Sequence, residues 1–152
     1  MMEVTIITDG SCIGNPGPGG WASVLRGADR EKELVGGHPE TTSNRMELTA
    51  AIEGLRALKV SCCVRLVSDS QYLKKGITTF VPRWKANGWV KSNGEAVLNQ
   101  DLWDQLEQVS QHHEIHWEWT AGHADHAIQN RAHDLALRAA REQAAAVARP
   151  SK

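Results

Sequence analysis

The chain has 152 residues, 41% of them hydrophobic and 23% charged, with a net charge of −1 and a pI near 6.6. That length supports one domain with a sizeable core and no disulfide staples, and the near-neutral balance excludes a protein that coats nucleic acid through its overall field. With no run of about 18 apolar residues and a start, Met1-Met2-Glu3-Val4-Thr5, lacking basic and apolar targeting regions, secretion and membrane insertion are not expected.

Val4 to Thr8 is a short β-branched run ended by Asp-Gly, and the Gly/Pro-rich stretch from Gly14 to Gly20 predicts a turn into a second strand, Trp21 to Leu25. Glu33 to Gly37 pairs with it as a third, which makes this part of the sheet antiparallel. Met46, Leu48, Ala50, Ala51, Ile52, Leu55 and Leu58 recur at helical spacing, and Val64 to Val67 reads as a buried strand. Short helices are expected over Ser70 to Ile77 and Asp101 to Gln111. Between them, Tyr72 to Gly94 holds Lys74, Lys75, Arg83, Lys85 and Lys91, no acid, and Phe80, Trp84 and Trp89, a local basic and aromatic patch. His116 to Thr120 alternates Trp117 and Trp119 with polar residues as a last strand, followed by a loop and an Ala-rich helix from Gln129 to Val147. The order β-β-β-α-β-α-α-β-α predicts an α/β fold, a mixed sheet with helices on its faces. The cysteines, Cys12, Cys62 and Cys63, are odd in number and two are adjacent, which reads as reduced thiols of a cytoplasmic protein.

Each acid in these segments has a structural excuse. Asp9 before Gly10 suits an Asx-turn, Asp69 suits a helix cap, and Asn44-x-x-Glu47 fits a capping box. Together they carry more weight. Asp9 and Asp69 end strands that can lie side by side, and Glu47 sits one turn into the helix between them. Three carboxylates at one sheet end raise one another's pKa unless cations neutralise them, and hard oxygen ligands suit Mg²⁺ or Mn²⁺.

The motifs Thr8-Asp9-Gly10-Ser11 with Asn15-Pro16-Gly17-Pro18-Gly19-Gly20, Thr41-Thr42-Ser43-Asn44-Arg45-Met46-Glu47-Leu48, Ser68-Asp69-Ser70-Gln71-Tyr72, Gly88-Trp89, Asn99-x-Asp101-Leu102-Trp103 and Gly122-His123 closely resemble bacterial type 1 ribonuclease H, from Val4 to Ala140. The resemblance implies a five-stranded ribonuclease H-like fold, one domain over residues 1–148 with a short tail at 149–152, acting as a monomer. It implies endonucleolytic cleavage of the RNA strand of RNA–DNA hybrids, leaving 5′-phosphate and 3′-hydroxyl ends. Two cations about 4 Å apart would clamp the scissile phosphate, with Asp9 bridging and Glu47 and Asp69 on either side. Glu47 is also placed to contact the ribose 2′-hydroxyl. His123 matches a loop imidazole that shuttles a proton or assists product release. Asn15, Ser43, Asn44 and Gln71 match residues that touch the hybrid's minor groove, and Thr42 and Arg45 match the hold on a DNA-strand phosphate. Phe80 to Val97 matches a basic protrusion, framed by Trp84 and Trp89, whose Arg83, Lys85 and Lys91 face the DNA backbone.

The chain departs from this pattern at the fourth acid. The family ends its site with Asn-Glu-x-x-Asp-x-Leu-Ala, and Gln129-Asn130-Arg131-Ala132-His133-Asp134-Leu135-Ala136 puts His133 there without a gap. A one-residue insertion would put Asp134 there instead, at the cost of the match at Arg131, Leu135 and Ala136. Consecutive helix residues differ by about 100° in direction, so both cannot serve equally; the ungapped reading is favoured. With His133 as fourth ligand, Mn²⁺ gains on Mg²⁺ and activity falls at acid pH. Ala86, Asn87, Gly94 and Glu95 replace bases in the protrusion, which lowers hybrid affinity and salt dependence. The substituted fourth ligand leaves a catalytically weakened hybrid-binding module as the alternative. A DNA-cutting relative on the same fold is disfavoured by the amide contacts and the protrusion.

Overall fold

A computed structural model describes residues 2–91, 93–120 and 127–148, with the backbone alone at Ile128. Five strands, β1 (Met2–Cys12), β2 (Gly17–Arg26), β3 (Glu31–Thr41), β4 (Cys62–Ser68) and β5 (Glu114–Trp119), form one sheet in the order β3-β2-β1-β4-β5. β1, β2 and β3 are antiparallel neighbours, and β1, β4 and β5 run parallel. The mixed sheet expected from the sequence is present, with every strand longer than its β-branched or aromatic centre.

Helices α1 (Ser43–Arg56), α4 (Gln100–Ser110) and α5 (Ala127–Ala148) flank it, with α2 (Gln71–Lys75) and α3 (Val81–Ala86) between β4 and α4. On one side, Leu48, Ile52 and Leu55 of α1 pack with Ile6, Leu66, Leu73, Trp103 and Leu106. On the other, Ala132 of α5 lies against Ile7, Val24 and Val67. Successive β1 side chains face opposite sides of the sheet, so Ile6 and Ile7 serve different cores. Fully burying a side chain such as Leu48 contributes roughly 1.5–3 kcal/mol.

The helix expected over Ser70 to Ile77 runs further. α2 passes through a π-helical turn at Gly76–Phe80 into α3, so the first half of the basic segment is helical. The β-branched Ile77-Thr78-Thr79 and Pro82 argue against helix locally, but packing overrides propensity here. Gly76 is buried against Trp103, where a Cβ would lie 2.0 Å from the indole. The wider π turn changes the hydrogen-bond register just before Pro82, which stands in the first turn of α3.

Asp9 does not end its strand, as the sequence suggested. Parallel pairing with β4 stops at Ile7↔Val67, but antiparallel pairing with β2 carries β1 to Cys12, with Asp9 opposite Ala22. The two strands part where the motif acids begin. Cys12, Cys62 and Cys63 are free thiols, the Asn15–Pro16 bond is cis, and among the described residues no helix is long and apolar enough to cross a membrane.

Candidate active site

Asp9 follows the last β1–β4 pair, and Asp69 follows the end of β4. Glu47 comes from the other core side, in the second turn of α1. Gly10 makes that approach possible: a Cβ on it would meet the Glu47 backbone nitrogen at 2.6 Å. One ligand oxygen from each of Asp9, Glu47 and Asp69 lies within 4.8 Å of the others. Asp9 and Glu47 are buried, and Asp69 is half-buried.

The alternative uses of these acids go to other groups. Thr42, not Asn44, caps α1, its Oγ1 accepting from Arg45 N at 3.2 Å, so no capping box engages Glu47. Ser70 caps α2, its Oγ accepting from Leu73 N at 3.1 Å, which frees Asp69. Asp9 Oδ1 accepts from the next residue, Gly10 N, at 2.9 Å, a loop one residue shorter than an Asx-turn.

Burial, then the charges of Asp9 and Asp69, hold the Glu47 carboxyl well above the ordinary carboxylate range. Burial and then Asp9 raise Asp69 as well. Among the described residues, Glu47 Oε2 is buried without a hydrogen-bond partner. A buried, unpaired carboxylate oxygen among two more acids lacks positive charge. The donor set is all oxygen, so these three residues fit a hard divalent cation.

His133 Nδ1 lies 2.9 Å from Asp9 Oδ2, and both His133, its side chain 57% exposed, and Asp134, the next residue of α5, are exposed. His123, with Gly122, lies outside the described residues.

Asn15 Oδ1 accepts from Ser43 N at 3.0 Å, which ties the β1–β2 loop to the start of α1 beside exposed Asn44. Gln71 is exposed at the start of α2. Arg45 is held by a forked pair to Asp101, Nη1 to Oδ1 at 3.0 Å and Nη2 to Oδ2 at 2.7 Å, and Nη1 also donates to Asn99 Oδ1 at 3.2 Å. Asn99, at φ 61°, donates through Nδ2 to the Tyr72 hydroxyl, which accepts from Trp103 Nε1 too. Asp101 and Asn99 carry no assigned role in the sequence reading; the Asn99-x-Asp101 spacing at a helix start was the available signal. Asn44, Tyr72, Arg83, Trp84, Lys91 and Asn99 line a groove of about 430 Å³. Trp84 stacks on Phe80 and meets Trp103 edge-on, and Trp89, at φ 64°, packs against the core. Lys85 is paired with Glu107 of α4, so of the three expected backbone-facing cations it has a protein partner. Sequence reasoning assigned no role to Gln129, read as a helix start and set opposite the motif's Asn; the buried Gln129 amide reaches β1.

A model of the RNase H family matches residues 1–142. Ribonuclease H of Solibacter usitatus (strain Ellin6076) is 55% identical over 143 residues, covering 94% of this chain and 98% of that protein. Ribonuclease H of Cupriavidus necator (strain ATCC 17699) is 53% identical over 138 residues, covering 91% and 95%. Among solved structures, LC9-RNase H1, described as a type 1 RNase H with the type 2 active-site motif, superposes with a TM-score of 0.85 at 32% identity, over 94% of this chain and 74% of that one. LC11-RNase H1, solved in complex with an RNA/DNA hybrid, shares the fold with a TM-score of 0.70 at 19% identity, over 91% and 97%.

Proposed function

The chain belongs to the ribonuclease H family, and on that premise we propose that it hydrolyses the RNA strand of RNA–DNA hybrids by two-metal-ion catalysis, leaving 5′-phosphate and 3′-hydroxyl ends. The observation that carries the reading is the Asp9, Glu47 and Asp69 cluster, two of its acids buried, whose oxygens converge and whose Glu47 Oε2 has no partner among the described residues. Held by these carboxylates with His133 as the fourth side chain, Mg²⁺ or Mn²⁺ supplies Lewis acidity and an activated water at a phosphodiester.

The chain's own groups do the positioning. Asp9, which meets the His133 ring and lies close to the other two acids, would be the ligand shared between the ions. Glu47, its backbone fixed by close packing of α1 on Gly10, would also contact the ribose 2′-hydroxyl. His133 replaces a charge with an imidazole, which favours Mn²⁺ and binds only when neutral; its 2.9 Å approach to Asp9 supports it over Asp134. His123 holds or returns a proton near the leaving oxygen, on the strength of its motif. Asn15, Ser43, Asn44 and Gln71 read the minor groove without selecting sequence. Thr42 and Arg45 hold a DNA-strand phosphate, and Arg83 and Lys91 follow the backbone across the aromatic groove beside Trp84 and Trp89. The free thiols suit a cytoplasmic monomer that removes RNA left by replication and transcription.

Cleavage of a uniform hybrid, beside RNA and DNA duplexes, over Mg²⁺ and Mn²⁺ titrations tests this. Hybrid-only cleavage, lost in Asp9→Asn, is expected. Tight hybrid binding with no cleavage under either metal would overturn it. His133→Asp is expected to move the metal preference toward Mg²⁺ and to weaken the loss of activity at acid pH; unchanged profiles would remove His133 from the metal shell.

A further inference from the structure

Gln129 sits in the first turn of α5, 3% exposed, and its Nε2 donates to the Thr8 carbonyl at 3.3 Å. Its Oε1 is buried with no partner among the described residues. One helical turn on, the His133 ring meets Asp9. Residues four apart share a helix face, and Thr8 and Asp9 are consecutive in β1. Two polar rungs therefore join α5 to β1 side by side, directly beyond the last β1–β4 pair at Ile7↔Val67. Alanines 132 and 136 of α5 are fully buried. A buried amide that makes one neutral hydrogen bond and, among the described residues, leaves its oxygen unpaired returns little stability for the water it gives up. An apolar side chain of the same length would serve folding as well, so the amide's value lies in the position it fixes.

We infer that Gln129 is a positioning residue for the proposed metal shell: by pinning the first turn of α5 to the carbonyl next to Asp9, it holds His133 against that carboxylate. The inference rests on the reading of His133 as the fourth side chain of the site. Outer partners that orient a ligand alter metal affinity without touching the metal. The other end of the contact is independent, because Arg131 pairs with Glu31 and Glu33 of β3 and keeps α5 docked when the Gln129 amide is gone.

Gln129→Met keeps length and burial but removes the amide. Its thermal midpoint is expected to equal or exceed that of the natural protein, the His133 imidazole resonances of the metal-free protein to shift, and the Mn²⁺ needed for half-maximal cleavage to rise about tenfold. His133→Ala is expected to raise that requirement too, with Gln129→Met adding nothing further on top of it. Unmoved imidazole resonances and an unchanged Mn²⁺ requirement in Gln129→Met, or an effect fully additive with His133→Ala, would overturn the inference. If His133→Ala leaves the Mn²⁺ requirement unaltered, the reading of His133 falls and takes the inference with it. If His133→Ala alters it and Gln129→Met does not, only the inference falls. Should Gln129→Met fail to fold, Gln129→Asn, whose amide sits one methylene closer to the helix, is expected to shift the requirement in the same direction, and no shift overturns the inference.

Discussion

Glu47 concentrates the conflict between folding and chemistry. Its carboxyl titrates higher in the folded chain than in the unfolded one, so folding takes up a proton there. The penalty is complete above the folded value and is relieved as pH falls through it toward the ordinary value of about 4.3. Metal-free protein is expected to gain from this group on acidification below neutral, read from denaturant midpoints, and Glu47→Gln is expected to lack that gain. His113 runs the other way: burial and then His112 hold its imidazole below the usual range, so its contribution is present above about 6.5 and is lost as pH falls toward the folded value. Both proteins share that loss, so their difference reports Glu47 together with the neighbouring acids its charge acts on. At neutral pH Glu47→Gln should be more stable by about 1–3 kcal/mol without metal and inactive on hybrids; equal midpoints would show that the cluster carries no strain. These acids were readable because each sits in a compact motif, with its spacing to a strand or helix start intact. The choice between His133 and Asp134 was not, since an alignment cannot say which way adjacent helix residues face.

At the scale of elements, the region from β4 to α4 holds most of what the sequence missed. Gly76 looks like a helix breaker, yet it is the contact that lets the α2–α3 segment lie on Trp103. Gly76→Ala would force a methyl into the indole and is expected to cost about 1–3 kcal/mol, measured by urea unfolding; a neutral result would mean that the π turn yields easily. Such contacts join residues 27 apart and leave no local pattern. The network from Asp101 through Arg45 and Asn99 to Tyr72 is equally non-local, tying the start of α1 to the start of α4. Asp101, mostly exposed, should add under about 1 kcal/mol to stability. Its forked bond fixes the plane of the Arg45 guanidinium, so Asp101→Asn is expected to raise KM for hybrid several-fold with kcat nearly unchanged. A fall in kcat at constant KM would place Arg45 in the chemical step instead. The antiparallel part of the sheet and the placing of β1 beside β4, by contrast, followed from hairpin signals and from one helix between two buried runs, which constrain topology without side-chain detail; the place of β5 did not.

Over the whole molecule the charge is nearly balanced, so attraction to a polyanion depends on where cations are free rather than on how many exist. The basic segment loses one to its own fold, because Lys85 is engaged by Glu107. Arg83 and Lys91 remain along the groove beside Trp84, and Asp9, Glu47 and Asp69 are not part of its lining. That separation lets one surface attract the backbone while another carries three carboxylates. Each cation that neutralises a phosphate contributes about 0.7–0.9 to the slope of log affinity against log salt. Arg83→Ala and Lys91→Ala are each expected to reduce the slope by about that amount in hybrid binding measured between low and moderate salt. Lys85→Ala should change it less, since freeing Glu107 costs attraction without removing a phosphate contact. An equal drop for all three would mean that the Lys85–Glu107 pair opens on the hybrid, and that the duplex, not the fold, decides where this cation goes.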